Sequence, residues 1–150
     1  LIRLDRTHTR LASRNYSGTN SALSVRWAAT AKTLWTLQWA SDLSSYQTAN
    51  ASYSRNERLT ASYLWQIAAR TNVQASVSES RRRYLGAPPG QAADPQRDTT
   101  RDASVGLRWN ASRNLSFNAS LQHTQRRSNQ PGLAFSSTQA VVGLSVFTNQ

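Results

Sequence analysis

Apolar and polar residues alternate with period two along almost the whole chain, in segments of about ten residues, and no stretch shows the longer period of an amphipathic helix. Successive side chains of a strand point to opposite faces, so each segment has one apolar and one polar side. Leu23, Val25 and Trp27 stand opposite Ser24 and Arg26, and Trp35, Leu37 and Trp39 stand opposite Thr36 and Gln38. Leu59, Ala61, Tyr63 and Trp65 oppose Arg58, Thr60 and Ser62, while Val73, Ala75 and Val77 oppose Gln74, Ser76, Ser78 and Ser80. Val105, Leu107 and Trp109 oppose Ser104, Gly106 and Arg108; Leu115, Phe117, Ala119 and Leu121 oppose Ser116, Asn118, Ser120 and Gln122. A last segment sets Ala140, Val142, Leu144 and Val146 against Gln139, Gly143 and Ser145. An opening strand near Arg3 to Arg10, marked only by Ile2 and Leu4, brings the predicted total to eight.

The connections alternate in length. Three times a tryptophan leads into a short basic turn: Trp27-Ala-Ala-Thr-Ala-Lys-Thr33, Trp65-Gln-Ile-Ala-Ala-Arg-Thr71 and Trp109-Asn-Ala-Ser-Arg-Asn114. By contrast, Ala12–Thr19, Ser41–Ala51, Leu85–Thr100 and Asn129–Phe135 read as longer loops rich in Ser, Gly, Pro, Asn and Gln. Short turns at one end and long loops at the other are expected of an up-and-down barrel in an outer membrane, with the long loops outside the cell. Pro88, Pro89, Pro95 and Pro131 all fall in the predicted loops, where no ladder bond is lost. The pattern therefore predicts one all-β domain over residues 1–150: an antiparallel up-and-down transmembrane β-barrel with about eight strands in this chain, complete in itself or part of a larger barrel.

A soluble sandwich, with the aromatics in its core, also uses alternating strands; the content of the two faces and the placing of the aromatics favour the barrel. Hydrophobic residues make up 38% of the chain, below the usual range of about 45–50%, and mean hydropathy is −0.61. Five Trp, five Tyr and three Phe, regularly placed, argue against disorder. The polar faces carry small uncharged groups and scattered Arg, which suits a narrow lumen filled by hydrogen-bonded side chains. In hydrocarbon an unpaired N–H or C=O costs several kcal/mol, so a sheet can cross only if it closes. No run of about 20 apolar residues offers a transmembrane helix. There is no Cys, which removes disulfides and thiolate metal sites. A chain that opens on Leu1 and contains no Met is expected to be a mature product or, in preference, a fragment of a longer precursor whose signal peptide lies outside this sequence.

The net charge of +11, from seventeen Arg and Lys32 against seven acids, points to an anionic partner: nucleic acid, lipopolysaccharide or an acidic polysaccharide. Arg81-Arg82-Arg83, the one dense basic run, reads as a solvated strand end. In the barrel reading Arg26, Arg58, Arg82, Arg108 and Arg126 face the lumen, with Asp102 as their acidic companion. Such arginines either fill the lumen structurally by bonding to Ser, Asn and Gln, or favour an anionic solute, since guanidinium binds carboxylate and phosphate bidentately. Trp27, Trp35, Trp65 and Trp109 lie beside the short turns as a membrane-interface girdle, where an indole is buried but its N–H stays wet. Tyr46, Tyr53 and Tyr84 lie toward the long loops. The segment Gly86–Arg101, with Asp94, Arg97, Asp98 and Arg101, reads as a solvated loop in preference to a contact for glycan or lipopolysaccharide.

Several of these motifs resemble a known family. Ser13-Arg14-Asn15-Tyr16-Ser17-Gly18, the Trp turns at 27–33 and 65–71, and Arg126-Arg127-Ser128-Asn129 before a final strand ending near Phe147 are similar to the exosortase-associated exopolysaccharide outer-membrane barrel proteins (EpsL type). The similarity covers nearly the whole chain, as the C-terminal part of a longer protein. It implies a location in the bacterial outer membrane and a role beside exopolysaccharide synthesis and export machinery. One departure is the C-terminus, where Phe147 is followed by Thr148-Asn149-Gln150 and stands out of phase with Val142, Leu144 and Val146.

The expected function is thus a non-enzymatic outer-membrane barrel associated with exopolysaccharide export, a pore or scaffold for an anionic polysaccharide. Its expected partners are outer-membrane lipid, lipopolysaccharide, the exopolysaccharide and its export machinery, with no cofactor, no metal and no nucleic acid. A soluble basic β-domain that binds nucleic acid or glycan is the first alternative; it would place aromatics alternating with Arg on one exposed face. A barrel hydrolase or acyltransferase is the second. His8 and His123 are the only histidines, neither with an adjacent carboxylate at useful spacing, and such an enzyme would draw on a His8–Asp5 or a His123–Asp102 pairing.

Overall fold

The computed structural model describes residues 2–4, 16–48, 51–85 and 95–147. All regular structure there is β: β1 (Ile2–Leu4), β2 (Tyr16–Gly18), β3 (Ser21–Thr30), β4 (Thr33–Thr48), β5 (Ala51–Ala68), β6 (Thr71–Leu85), β7 (Arg97–Asn110), β8 (Leu115–Ser128) and β9 (Phe135–Val146). Strands β3 to β9 form one seven-stranded sheet in sequence order, each antiparallel to the next. The meander is the wall of an up-and-down barrel. It is open: β3 and β9 are its two edges and do not pair with each other.

Seven strands, not eight, share this sheet. The expected opening strand near Arg3 to Arg10 is represented by β1, which pairs with β2 in a separate two-stranded ribbon, Arg3 opposite Ser17. The rest of that segment lies outside the described residues, as does most of the expected loop Ala12–Thr19, of which Tyr16–Gly18 is strand.

Two more expected loops are shorter than their composition implies. Strand β4 continues to Thr48 and β5 begins at Ala51, so the predicted loop Ser41–Ala51 is almost entirely ladder, with Ser41 opposite Glu57 and Ser45 opposite Tyr53. Likewise β6 runs to Leu85 and β7 starts at Arg97, within the predicted loop Leu85–Thr100. An antiparallel ladder satisfies backbone groups between neighbours whatever the side chains are, and Ser, Thr, Tyr and Arg do not interrupt it. Polar composition therefore marks where the sheet leaves the apolar zone, not where pairing stops. At 18 residues, β5 is well beyond the roughly 9–11 that a tilted strand needs to cross a bilayer. The loop Asn129–Phe135 is a loop as expected, turned at Pro131-Gly132 with Gly132 at φ 80°. That left-handed position favours glycine.

The short turns form as the Trp motifs predict. Ala31-Lys32 and Ala69-Arg70 each close a hairpin, with an irregularity between Ala28 and Thr30 and between Gln66 and Ala68. No non-glycine residue has positive φ among the described residues. The primed turns that match strand twist are thus not used, and the bulges supply the extra twist instead. Thr30 Oγ1 meets Thr33 Oγ1 at 2.7 Å and accepts the Lys32 N–H at 3.2 Å, pinning the first turn.

Register keeps the apolar side chains on one face. Trp27 is opposite Trp35, Trp35 opposite Tyr63, Tyr63 opposite Ala75, Ala75 opposite Val105, and Val105 opposite Leu121. No described large side chain is fully buried, and this face stays open: Trp27 is 64% exposed and Val142 82%. A contiguous exposed apolar face of that extent requires a lipid or protein covering.

Candidate functional site

The opposite face is polar, and each arginine expected there sits on it. Arg26 is opposite Thr36, Arg58 opposite Ala40 and Ser80, Arg82 opposite Asn56 and Asp98, Arg108 opposite Asn72 and Asn118, and Arg126 opposite Thr100 and Phe135. They do not form a single cluster. Arg58, Arg82 and Arg126 lie toward the loop end, and Arg26 and Arg108, next to Trp27 and Trp109, toward the short turns. Around Arg108 a hollow of about 280 Å³ is lined by Asn72, Gln74, Gly106, Asn118 and Ser120. The face is not uniformly polar: Leu34 pairs with Leu64, and Phe135 and Val141 of β9 also lie on it.

Hydrogen bonds tie this face together across strands. Asp102 accepts from Thr124 Oγ1 at 2.7 Å and from Ser78 Oγ at 3.4 Å, bridging β6, β7 and β8, and Ser76 Oγ meets Ser104 Oγ at 2.8 Å. The expected companionship of Asp102 with arginine gives way to hydroxyls. The acid that holds an arginine is Asp98, whose Oδ2 accepts from Arg126 Nη2 at 2.6 Å and from Gln96 Nε2 at 3.0 Å. Asp98 is 5% exposed. Burial alone would push its carboxyl up, but hydrogen bonds from Ser128 and Arg126, with the guanidinium charge, outweigh it and hold the carboxyl below its ordinary range.

Asp98 falls in a segment whose composition predicts a loop, but it lies in β7. Its parity was available, because Asp98, Thr100 and Asp102 continue the phase of Ser104 and Arg108. With Asp42 in register with Asn56 on the same face, five arginines meet three aspartates there, a surplus of two.

The opposite parity carries more charge. Beyond the apolar band toward the loops, Arg55, Arg81, Arg83, Arg97, Arg101 and Arg127 share the apolar face with Glu57 and Glu79, a surplus of four. The Arg81-Arg82-Arg83 run splits across the sheet, Arg82 on the polar face and its neighbours on the other.

The four tryptophans all lie on the apolar face near the short turns. Relative to the row of Trp27 and Trp35, Trp65 is two residues nearer the turns and Trp109 two more. A slide of two residues per two strands is about 6.6 Å against a width of about 9.6 Å, an inclination near 35°. That is the tilt at which strands cross in membrane barrels, roughly 35–45°. Tilting the strands by this angle brings the four indoles to one level. Trp35 contacts Tyr63 at 4.5 Å between centroids and Trp109 stacks on Phe117 at 5.4 Å. Of the three tyrosines expected toward the long loops, Tyr84 is buried on the polar face, Tyr53 lies on the apolar face, and the side chain of Tyr46 lies outside the described residues.

Among the described residues no group of His, Cys, Asp and Glu could hold a metal ion. The pairing of His123 with Asp102 does not form. His123 is opposite Ala103, on the other face from Asp102, and its Nδ1 meets Thr138 Oγ1 at 2.8 Å. His8 and Asp5 lie outside the described residues.

Compared with known proteins, residues 4–148 match the family model described as "Putative beta-barrel porin 2". No curated protein and no solved structure matches the chain.

Proposed function

The chain belongs to that β-barrel porin family, and from this premise we propose that it forms the wall of a non-enzymatic bacterial outer-membrane barrel serving exopolysaccharide biosynthesis or export. The observation that carries the reading is the pairing of an exposed, tryptophan-edged apolar face with a hydroxyl- and arginine-lined opposite face. Water would not tolerate the first uncovered, and hydrocarbon would not tolerate the second. Placed in a bilayer, the sheet puts Trp27, Trp35, Trp65 and Trp109 at the periplasmic interface, and Arg26, Arg58, Arg82, Asp102, Arg108 and Arg126 line the interior. The resemblance at Ser13–Gly18, the Trp turns and Arg126–Asn129 supports the exopolysaccharide assignment, and the arginine surplus inside suits an anionic sugar chain.

The test is reconstitution. The chain refolded in phosphatidylcholine vesicles should show heat-dependent gel mobility and protection of its spans from protease, and in planar bilayers any current should favour anions. Arg108→Glu should reduce that preference. A detergent-free monodisperse monomer sinks the barrel reading, and cation-selective current through the unmodified protein sinks the anionic-cargo reading. Loss of surface exopolysaccharide on deletion, restored by the wild-type chain, tests the pathway.

A further inference from the structure

We propose that the arginine belt on the apolar face is a binding site for a phosphorylated lipid of the outer leaflet, seated by Arg81, Arg101 and Arg127 with its acyl chains along the sheet below. The inference rests on the membrane-barrel reading and goes beyond it to a specific site. In a lumen the arginines would face an aqueous cargo. These six have the parity of Leu59, Val77 and Val105 and therefore face the lipid side.

The belt begins where the apolar band ends. From the turn-side aromatic to the first outward charged group is eight residues on β5 (Trp65 to Glu57) and on β7 (Trp109 to Arg101), while on β8 the polar His123 comes six residues after Phe117. Eight residues at about 3.3 Å and a 35° tilt span about 22 Å, close to the roughly 25 Å apolar band of outer-membrane barrels. The guanidiniums thus stand at the level of the outer-leaflet headgroups.

Glu79 organises two of them. Arg81 Nε and Arg101 Nε each donate to it at 2.8 Å, on Oε1 and Oε2 respectively. The Nη groups of Arg101 are left for another acceptor, and Arg83, Arg97 and Arg127 form no ion pair among the described residues. Between Arg81, Arg101 and Arg127, with Glu79, Thr99 and Gln125 completing its lining, lies a hollow of about 240 Å³. Continuous with it through Glu79, Arg101 and Gln125 is a larger hollow of about 440 Å³, its surface mostly apolar, floored by Leu59, Ala61, Val77 and Ala103 with His123 at its side. Small side chains in adjacent strands leave room for an acyl chain, and the cations above meet a phosphate, whose bidentate geometry guanidinium matches. An acidic polysaccharide would use the upper hollow and leave the apolar one empty, so a lipid fits better.

The test uses the full chain in neutral phosphatidylcholine vesicles, titrated with bisphosphorylated lipid A and with the same lipid stripped of both phosphates. The wild type should prefer the phosphorylated form by at least about tenfold, and Arg81→Gln/Arg101→Gln/Arg127→Gln should weaken its binding by about 100-fold. Millimolar inorganic phosphate should compete poorly, since it lacks the acyl chains. Equal binding of the two lipids by the inserted wild type overturns the site while leaving the barrel intact, and needs no variant to fold. Arginine-dependent capture of an acidic polysaccharide in place of the lipid also overturns it. Failure of the wild type to insert overturns site and barrel together.

Discussion

Replacing Val105 with arginine separates a sheet facing lipid from one facing water. Val105 is 46% exposed and flanked in register by Ala75 and Leu121. It lies four residues from Trp109 and four from Arg101, about 13 Å along the strand in each direction and about 11 Å along the normal after a 35° tilt. It is therefore at the middle of the apolar band. An arginine there should destabilise a membrane barrel by about 2–4 kcal/mol, the midplane cost on a lipid-facing strand. The same change at a half-exposed site in water should stay within about 0.5 kcal/mol. Gln122→Arg, one residue along β8 from Leu121 and on the polar face, is the control and should cost little in either case. The assay is equilibrium guanidinium unfolding from phosphatidylcholine vesicles, followed by tryptophan fluorescence with refolding to establish reversibility. A Val105→Arg variant as stable as wild type, or a Gln122→Arg variant that loses more, would refute the assignment of faces.

The Asp98–Arg126 pair makes stability depend on pH in a definite direction. The Asp98 carboxyl is held below its ordinary value, so its contribution is present above the ordinary carboxylate range and lost as pH falls through the folded value. Unfolding curves at neutral and strongly acidic pH should differ more for wild type than for Asp98→Asn. Arg126→Ala leaves a nearly buried carboxylate with only Gln96 and Ser128 and should cost about 2 kcal/mol, discounted because the arginine is itself partly exposed. Asp102→Ala strands the Ser78 and Thr124 hydroxyls, costing about 1–2 kcal/mol in denaturant without abolishing insertion. Trp109→Ala should lower folding yield into vesicles and remove the contact with Phe117, whereas Ser112→Ala in the adjacent turn should not, as read by heat-dependent gel mobility.

The faces were legible because period-two alternation is a property of the backbone alone. Every segment from Leu23 to Val146 projects as its parity predicts, and the three hairpins close at the three Trp-led turns. The strand ends were not legible. Ser41 to Thr48 and Arg97 to Thr100 look like loop by composition, yet they pair, because the ladder depends on the neighbouring strand and not on side-chain polarity. The arginine triplet shows the same limit: it is one run in sequence and two sites in space.

Sequence by itself determined the all-β class, the hairpin order, the apolar and polar faces and the side on which Arg26, Arg58, Arg82, Arg108 and Arg126 stand. Only the tertiary structure decided which charges meet. Asp98 reaches Arg126 from 28 residues away and Glu79 holds Arg101 from 22 away, because these contacts depend on register between strands. Register also decided the inclination that brings four tryptophans to one level and the position of the outward arginines just beyond the apolar band. Parity is set within each residue's own backbone, whereas register is set by the sum of many cross-strand contacts, and no single stretch of sequence contains that sum.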